Sequence, residues 1–593
     1  LSAGLAELVQ KCIRFSRRYD EIQRAQAVDE DPTLVSSLGF SCDALSPSST
    51  TTAAHIDDPH AVSIVESQGF YAGLPSDPVL IYRSDIQTDK WSPHRKKQLC
   101  PVFNHPIVSG WNDDLGWKVV AVLDARAVCF TSIDVVRFKL VEVDEDEETA
   151  KEARVGPVTI WIGVFADWTP PTLAHEAAQD VLALLEKYNI TDVNIHFRES
   201  IYTTELGPRL LQPIEDVNPL VDVIGDVVGP LTTALGLHIS TKARPNTQGT
   251  MALYLKKGGD SKGLLGLSCR HVLIDPNEPN ELYVHHRNAP IKDVLLLGHQ
   301  AYTKLVTSIK VKVADHGTDI ERWQKQINEF KEREQGSDVD DVAKALKSRA
   351  KAEEFVKGLE EAIQQLAALL GQVEKHWKPV HKRVIGHVLH SPPIALGVGQ
   401  PRFTEDWGLL ELDEAKLGNA YQGNKLDLGT EMKPAEFTRR CLTRGNANWK
   451  FTYPKDRLLP LVGIISDQLM RHPDMSDSDD EPCLLVVKSG NATGTTLGRA
   501  NGVFSIVRKY SLDTSIDQTS MGWAILPYDS KSGAFSAPGD SGSIIADIRG
   551  RIGGMLTGGS GNTKSSDVTY ATPWFWLLEQ IQATKEFTNV HVA

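Results

Sequence analysis

The sequence predicts a mainly β fold, interrupted by an α-helical hairpin and preceded by an α/β accessory domain. Short strand-like runs separated by glycine-rich turns recur through residues 236–590, as they do in all-β proteins. Within that stretch, residues 319–377 carry apolar residues at helical spacing. Strand-like and helix-like runs alternate through residues 111–235, which predicts an α/β layer. Residues 1–110 are expected to form a helical and irregular region.

The N-terminal half divides at several recognisable signals. Residues 5–19 predict an amphipathic helix, and the Ser/Thr-rich run 46–52 predicts a linker. Pro170 and Pro171 precede a helical pattern over 172–188. Residues 213–235 are expected to pack as helix on the domain that follows. The remaining predictions are strands, at 117–123, 135–143, 157–165 and 193–197.

The helical insertion reads as an antiparallel hairpin. Its first arm has apolar residues at spacings of 3, 4 and 3, and Gly336-Ser337-Asp338 interrupts the pattern before the second arm. Such a hairpin is either a spacer folded on the surface or an arm that binds a protein partner or a second copy. The seam comprises Ile320, Trp323, Ile327, Phe330, Val342, Leu346, Phe355, Leu359, Ile363, Leu366, Leu370 and Val373.

Three separated segments carry residues suited to nucleophilic chemistry. Gly539-Asp540-Ser541-Gly542 places a serine on a glycine-flanked turn before the apolar run 543–546. His271 follows the strand-like run 264–268, and Asp406 begins another over 408–412. A serine hydroxyl needs a base to take its proton, and a histidine serves this purpose near neutral pH when a carboxylate holds its tautomer.

The order His271, Asp406, Ser541 resembles that of the trypsin/chymotrypsin superfamily, and differs from those of subtilisins and nucleophile-elbow hydrolases. The glycine-rich run 488–498 resembles a strand pair of its disulfide-free branch, which includes the high-temperature-requirement proteases and the plant narrow-leaf trypsin-like proteins. Residues 567–573 and 574–578 resemble the last strand and closing helix. This resemblance implies a chymotrypsin-like double β-barrel over residues 236–590.

The resemblance also implies a role for each residue. His271 is the general base, Asp406 orients it, and Ser541 is the nucleophile. The main-chain N–H groups of Gly539 and Ser541 form an oxyanion hole, and Asp540 shapes its loop. The expected substrate-binding residues, which suggest an apolar or small pocket, are Phe535, Ser536, Thr557 and Gly558.

Some residues depart from the family pattern. Val272 stands where secreted members have a cysteine after the histidine, and Ser543 replaces a glycine. Secreted zymogens mature by freeing an N-terminus that pairs with the acidic residue before the serine. More than 200 residues precede the expected barrel here, without an obvious cleavage signal, so Asp540 needs another partner or none.

Composition narrows the function classes. The formal net charge of −14 argues against nucleic-acid and acidic-membrane partners. The sequence contains no run of 18 apolar residues, so no membrane span is predicted. Acidic runs at 142–148 and 474–481 are interpreted as solvated loops, with an interaction tail as the alternative. The 7 cysteines are scattered and odd in number, so no disulfide framework, metal site or cofactor is predicted. A reducing cytoplasmic or nuclear location is expected. The chain begins at Leu1, so a removed targeting peptide stays possible.

Three functions fit these residues. The favoured prediction is an intracellular serine endopeptidase acting on protein or peptide substrates. The alternative is a catalytically silent pseudoprotease that serves as a protein-binding scaffold. A hydrolase of non-peptide esters shares the same triad and differs only in its pocket.

Overall fold

The structure is a computed structural model. Four predicted features lie wholly or partly outside the described residues: the linker 46–52, the acidic loop after Glu142, most of 213–235, and 478–480 of the second acidic run. The description covers residues 2–29, 58–86, 91, 95–142, 155–165, 169–203, 231–259, 261–286, 290–417, 421–430, 432–441, 451–477, 481–509, 518–561 and 566–593.

Large β-sheets dominate the architecture, although helix (36%) slightly exceeds strand (32%). The strands, in chain order, are β1 Leu80–Arg83, β2 Arg95–Cys100, β3 Phe130–Glu142, β4 Val155–Val164, β5 Val193–Glu199, β6 Ile201–Thr203, β7 Leu237–Thr241, β8 Arg244–Met251, β9 Tyr254–Gly258, β10 Ser261–Ser268, β11 Tyr283–Val284, β12 Asp293–Leu296, β13 Val384–Ser391, β14 Ala395–Val398, β15 Phe403–Glu405, β16 Gly408–Leu412, β17 Lys425–Asp427, β18 Leu458–Pro460, β19 Leu484–Gly490, β20 Gly494–Ala500, β21 Ser505–Lys509, β22 Gln518–Pro527, β23 Ile544–Asp547, β24 Ile552–Gly561, β25 Val568–Pro573 and β26 His591–Val592.

The helices vary from single turns to arms of more than 30 residues. In chain order they are α1 Ala3–Asp29, α2 Ile64–Gly69, α3 Pro106–Gly110, α4 Gly116–Ala125, α5 Pro171–Glu186, α6 Arg270–Leu273, α7 His299–Arg333, α8 Val339–His376, α9 Glu414–Leu417, α10 Pro434–Cys441, α11 Asp467–Arg471 and α12 Trp574–Ala583. A π-helical turn, Trp111–Leu115, joins α3 to α4, and a 3₁₀ turn, Val380–Arg383, precedes β13. No helix in the described ranges has both the length and the apolar character needed to cross a bilayer.

The first sheet has 9 strands in the order β26-β9-β10-β16-β13-β12-β7-β8, with β11 beside β13. Strands β8 and β9, which lie near opposite ends of this order, are joined by Ala252 and Leu253. The N–H of Ala252, just after β8, donates to the Leu267 carbonyl of β10 (2.7 Å), and the Leu267 N–H donates to Leu253 (3.0 Å). These bonds extend the β9–β10 ladder back to the end of β8, which itself pairs with β7.

The second sheet has 15 strands and contains a cyclic set of pairings. Around the cycle, β19 pairs with β20, β20 with β22, β22 with β25, β25 with β24, β24 with β23, and β23 with β19. The predicted turn in the run 488–498 is present, since Gly490 lies opposite Gly494. The predicted strand before residue 574 and the helix after it are also confirmed, as β25 and α12.

The α/β layer continues this second sheet. Its strands follow the order β1-β5-β4-β3-β21, and Ile133 of β3 pairs with Ile506 of β21. Strands β1 and β2, which fall in the region expected to be helical and irregular, pair with β5 and β3. Helix α5 packs against the layer, and its residues Ala174, Ala178 and Val181 are buried.

The strand predicted at 117–123 is wrong, because these residues lie in helix α4. The run is apolar, and a short apolar run does not distinguish a buried strand from a buried helix. Val119, Val120 and Leu123 are buried, at spacings that share one helical face. The helical segment also begins earlier, with Pro106 at the first turn of α3, a position that proline favours.

The predicted helical hairpin is confirmed as α7 and α8, although its first arm begins at His299 rather than at 319. Asp338 caps α8 by accepting hydrogen bonds from the N–H groups of Asp340 and Asp341. The predicted N-terminal helix is confirmed as α1, which packs on α7. Gly317 permits the close approach, since a Cβ at that position would lie 2.4 Å from a methyl of Val9. The three helices form a small bundle at the first sheet.

Candidate active site

His271 lies in a single helical turn directly after β10. That turn, α6, is buried, and Cys269 precedes it in an extended conformation. The neighbouring Arg270 guanidinium donates to the carbonyls of Ser391 (3.0 Å) and Glu281 (2.7 Å). These bonds anchor the turn to strand β13 and to the loop before β11. The imidazole of His271 is therefore carried by a short, well-anchored element at the end of a strand.

Asp406 lies between β15 and β16 and faces His271. Its Oδ2 accepts a hydrogen bond from His271 Nδ1 at 2.5 Å, and its Oδ1 accepts one from the His271 main-chain N–H at 3.2 Å. The structure therefore brings together two of the residues predicted from sequence, across a separation of 135 positions. Both are buried, with 6% of His271 and 3% of Asp406 exposed.

The Asp406 carboxylate is kept ionised by its surroundings. Burial alone would disfavour the charged form. The charge and ring hydrogen bond of His271, together with the main-chain N–H of the same residue, outweigh burial and lower the pKa of Asp406. An ionised carboxylate on Nδ1–H holds the neutral imidazole in the tautomer whose Nε2 is free to accept a proton.

Ser541 lies on a loop that contacts both sheets. Its carbonyl accepts a hydrogen bond from the Thr250 N–H of β8 (2.9 Å), and the next N–H, that of Gly542, donates to the Leu556 carbonyl of β24 (2.8 Å). Gly539 and Gly542 have φ angles of 112° and 88°, which residues with a side chain rarely adopt. A Cβ on Gly542 would also lie 2.1 Å from the Thr250 carbonyl oxygen.

Cys269 connects this loop with the His271–Asp406 pair. Its thiol donates to the same Leu556 carbonyl (3.3 Å) that accepts from Gly542. Its sulfur also lies within 4.8 Å of the side-chain ligand atoms of His271 and Asp406. The segments carrying His271, Asp406 and Ser541 therefore meet where the two sheets touch.

No hydrogen bond joins the side chains of Ser541 and His271. Ser541 Oγ and His271 Nε2 are both buried without a hydrogen-bond partner, and Ser541 has 0% of its surface exposed. An unbonded polar atom in the interior is costly. These two atoms are the ones that a serine–histidine relay would join. In this structure they are not hydrogen-bonded to each other, and Ser541 is covered by the surrounding protein.

We call residues 537–543 the serine loop. Two of its main-chain N–H groups, those of Gly539 and Ser541, have no acceptor among the described residues. Their neighbours are bonded. Asp540 N–H donates to Ala537 (3.1 Å), and Ser543 N–H donates to Asp540 (2.8 Å). The two free donors are the pair that the sequence predicted for an oxyanion hole, and they flank Asp540.

The residues predicted to contact substrate form a buried wall beside this loop. Phe535 is 1% exposed and packs against β20, where a Cβ on Gly498 would lie 2.6 Å from its ring. Ser536 Oγ contacts Thr569 Oγ1 (2.6 Å), and Thr557 Oγ1 donates to the Tyr570 carbonyl (3.4 Å). Gly558 pairs with Tyr570 across β24 and β25. The phenylalanine side chain thus contributes to packing of the sheet.

One edge of β24 is already partly occupied. Strand β6, which follows β5 of the accessory layer, pairs antiparallel with it, with Thr203 opposite Gly559 and Ile201 opposite Gly561. Nearer the serine loop, Leu556 uses its N–H and carbonyl to bind Ser543 and Gly542. The accessory layer therefore supplies a strand next to Thr557 and Gly558, two of the residues predicted to contact substrate.

Cys269, His271 and Asp406 include metal-ligating atom types, but their arrangement favours a hydrogen-bonded pair. A zinc ion bound to nitrogen and oxygen at about 2.0 Å each holds those ligand atoms roughly 3 Å or more apart. His271 Nδ1 and Asp406 Oδ2 are 2.5 Å apart, too close for an ion between them. Burial, followed by the charge of Asp406, raises the pKa of the Cys269 thiol well above its usual value. Cys269 is therefore a neutral thiol and a poor nucleophile.

Sequence reasoning missed the partner of Asp540, which is Lys488 of β19. The two side chains form a salt bridge of 3.0 Å, and both are fully buried. A signal existed, because Lys488 opens the glycine-rich run from which the resemblance was drawn. A cation within a strand of valines and leucines also needs a buried anion.

No protein-family model matches the chain, and no curated protein matches it either. The interpretation of this site therefore depends on its geometry and chemistry.

Proposed function

We propose that the chain is a serine endopeptidase of the chymotrypsin type, with Ser541 as nucleophile, His271 as general base and Asp406 as its orienting carboxylate. The observation that carries the proposal is the 2.5 Å bond from His271 Nδ1 to Asp406. This bond leaves Nε2 as the ring nitrogen able to take a proton, and the loop of Ser541 lies next to it through Cys269.

The chemistry proceeds in two halves. Ser541 Oγ attacks the peptide carbonyl while His271 Nε2 takes the hydroxyl proton, and the carbonyl oxygen becomes an oxyanion held by the Gly539 and Ser541 N–H groups. His271 then gives the proton to the leaving amine, which departs and leaves an acyl ester on Ser541. Water, deprotonated by His271, hydrolyses that ester and restores the serine.

The strand pairings support a double barrel around this site. The pairings of the second sheet return to their start. In the first sheet the chain passes from β8, at one end of the strand order, directly into β9, which pairs with β10 near the other end. Both features are typical of sheets that close on themselves as β-barrels. The segments that carry His271 and Asp406 flank strands of the first sheet, whereas Ser541 precedes β23 of the second. A catalytic cleft between the two barrels accounts for residues from both sheets meeting at one point.

Peptides are the favoured substrate class. The edge of β24 beside Thr557 and Gly558 offers main-chain groups to which an extended peptide can add as a strand. Because β6 occupies Gly559–Gly561, a bound peptide pairs only with the part of this edge nearest the serine unless β6 is displaced. The expected pocket is lined by Ser536 and Thr557 and is small, since Phe535 packs into the sheet. No disulfide joins Cys12, Cys100, Cys269, Cys441 or Cys483 of the described residues, which supports a reducing compartment.

A second candidate is the catalytically silent scaffold. It is favoured by the complete burial of Ser541 and by the unmade bond between its Oγ and His271 Nε2. A peptidase must expose this serine to substrate, so the proposal requires the cover over Ser541 to move. A scaffold has no such requirement and would use the helical bundle of α1, α7 and α8 to bind a partner.

Labelling with a fluorophosphonate probe separates the two candidates. Wild type is expected to label with one probe per chain, and Ser541→Ala is expected not to label. Ser543→Ala is the matched control, because Ser543 is equally buried and its Oγ is also unpaired; this variant should label like wild type. A folded wild type that does not react, with or without added peptide, would contradict the peptidase proposal. Cleavage of a peptide library then distinguishes a peptidase from an esterase.

A further inference from the structure

The residue before the candidate nucleophile forms a buried ion pair with a lysine from a distant strand. Lys488 Nζ lies 3.0 Å from Asp540 Oδ2, and both side chains are 0% exposed. Fully buried charges of this kind persist only when each is paired and hydrogen-bonded. The pair joins the middle of the second sheet to the loop that carries Ser541.

The Asp540 carboxylate is saturated with donors from two chain segments. Oδ1 accepts from the N–H groups of Ala492 (2.7 Å) and Thr493 (3.3 Å), and Oδ2 accepts from the N–H of Ala537 (3.1 Å) and the hydroxyl of Thr493 (2.7 Å). The carboxylate thus ties the β19–β20 turn to the start of the serine loop. Among the described residues, Lys488 is the one donor to this carboxylate that carries a full positive charge. We therefore expect the position of Asp540 to depend on Lys488.

Lys488 is itself fixed by the same turn. Its ammonium donates to the Gly494 carbonyl (3.0 Å) and to the Thr493 hydroxyl. With Asp540 this accounts for all three of its N–H donors. Gly490 allows the approach, because a Cβ there would lie 2.4 Å from Asp540 Oδ1. The Lys488–Asp540 pair therefore connects strand β19, the β19–β20 turn and the loop that carries Ser541.

We infer that Lys488 is a positioning residue for the reaction at Ser541. Its ammonium holds Asp540, and Asp540 holds the backbone on which the Gly539 and Ser541 N–H groups are left without acceptors. This inference rests on the proposed function. The cation belongs to β19, a strand of the folded second sheet, and this has a consequence for how the site is activated. The oxyanion loop is assembled when the intact chain folds, and no N-terminus has to be released by cleavage.

The test compares Lys488→Met, Asp540→Asn and the double variant with wild type. For each, the rate of fluorophosphonate labelling and the midpoint of thermal unfolding are measured, with labelling done at a temperature where all four proteins are folded. Lys488→Met should label at least 100-fold more slowly, the size of effect seen when one oxyanion donor is lost. Lys256→Met, on the exposed part of β9, is the control and should behave like wild type.

The double variant separates positioning from stability. Each single change leaves a buried charge without its partner, whereas the double variant leaves none. Its unfolding midpoint should therefore recover towards wild type while its labelling remains at least 100-fold slow. Lys488→Arg, which retains the charge, should label faster than Lys488→Met. Recovery of labelling together with stability in the double variant would overturn the inference and leave the peptidase proposal standing.

The intact mass of the labelled protein is the second readout. Labelled wild type should carry the probe on the full-length chain. Labelling confined to a cleaved form would overturn the inference while supporting the proposed function. A folded wild type that never labels, in intact or cleaved form, would instead contradict the proposed function, and with it this role for Lys488.

Discussion

Replacing Asp406 by asparagine is the most informative single change for the proposed mechanism. The carboxylate accepts from His271 Nδ1 at 2.5 Å and from the His271 N–H at 3.2 Å. Asparagine has nearly the same shape but no charge, and its amide can donate to Nδ1. That donation would favour the tautomer with a proton on Nε2, which cannot serve as a base.

The size of the effect follows from the geometry. In the transition state His271 is an imidazolium, and its charge lies about 4 Å from that of Asp406. Two unit charges at that distance attract by about 4 kcal/mol at an effective dielectric constant near 20. Each 1.4 kcal/mol or so is a factor of ten in rate, so loss of the charge alone slows the reaction roughly a thousandfold. The wrong tautomer brings the expected loss to about 10⁴.

The assay is the rate of fluorophosphonate labelling at pH 7–8, together with far-ultraviolet circular dichroism to establish that the variant is folded. Glu405→Gln is a suitable control, because Glu405 is adjacent and its carboxylate accepts from Trp407 Nε1 instead (3.1 Å). A folded Asp406→Asn protein that labels within tenfold of wild type would refute the role given to Asp406. Equal losses in Asp406→Asn and Glu405→Gln would point to local disruption.

Two further predictions concern the framework. Arg198→Met removes a fully buried guanidinium that lies 3.2 Å from both Asp134 and Asp567, and should lower the free energy of unfolding by about 3–5 kcal/mol at pH 7. Burial raises the pKa of Asp567, and the charge of Arg198 opposes this rise. Without Arg198 the pKa of Asp567 is expected to rise further. Asp567 in the folded variant therefore binds a proton at a higher pH than it does in the unfolded chain. The deficit should therefore shrink as the pH falls towards 4; denaturant titrations showing the same deficit at pH 7 and 4.5 would exclude this origin. Gly542→Ala places a Cβ 2.1 Å from the Thr250 carbonyl oxygen at a φ of 88°, and should abolish labelling; wild-type labelling would show that the loop does not need this conformation.

Local patterns predicted the elements that carry the candidate site. The strand before His271, the strand after Asp406 and the glycine-flanked turn at Ser541 each have a short signature that depends on backbone geometry. Gly539 and Gly542 adopt positive φ angles, and this requirement is visible in the sequence as glycine. The hairpin was predictable for a similar reason, since its buried residues such as Ile327, Ile363 and Leu366 keep helical spacing.

Features that depend on long-range pairing were not predictable. Residues 117–123 are apolar enough for either a strand or a helix, and only their packing in the α/β layer decides for helix α4. The merging of that layer with the second sheet depends on the pairing of Ile133 with Ile506, for which neither segment has a local signal. Leu346 and Phe355, expected in the hairpin seam, are 45% and 43% exposed, because the buried face of this part of α8 is formed by Ala345, Ala352 and Leu359.

The ion pair of Asp540 also depends on long-range contacts. The sequence showed Lys488 only as part of a glycine-rich turn motif, and the fold places its ammonium group 3.0 Å from Asp540. The position of β6 on the β24 edge is likewise a property of the assembled sheet. A sequence supplies residue types and local turns, whereas the contacts between distant strands decide which of those residues meet.

A crystal structure of the protein after reaction with a peptidyl phosphonate tests the central claim most directly. The account predicts a covalent bond from phosphorus to Ser541 Oγ, a phosphonyl oxygen within hydrogen-bonding distance of the Gly539 and Ser541 N–H groups, and His271 Nε2 facing the adduct. An adduct on any other residue, or one whose oxygen meets neither N–H group, would contradict it.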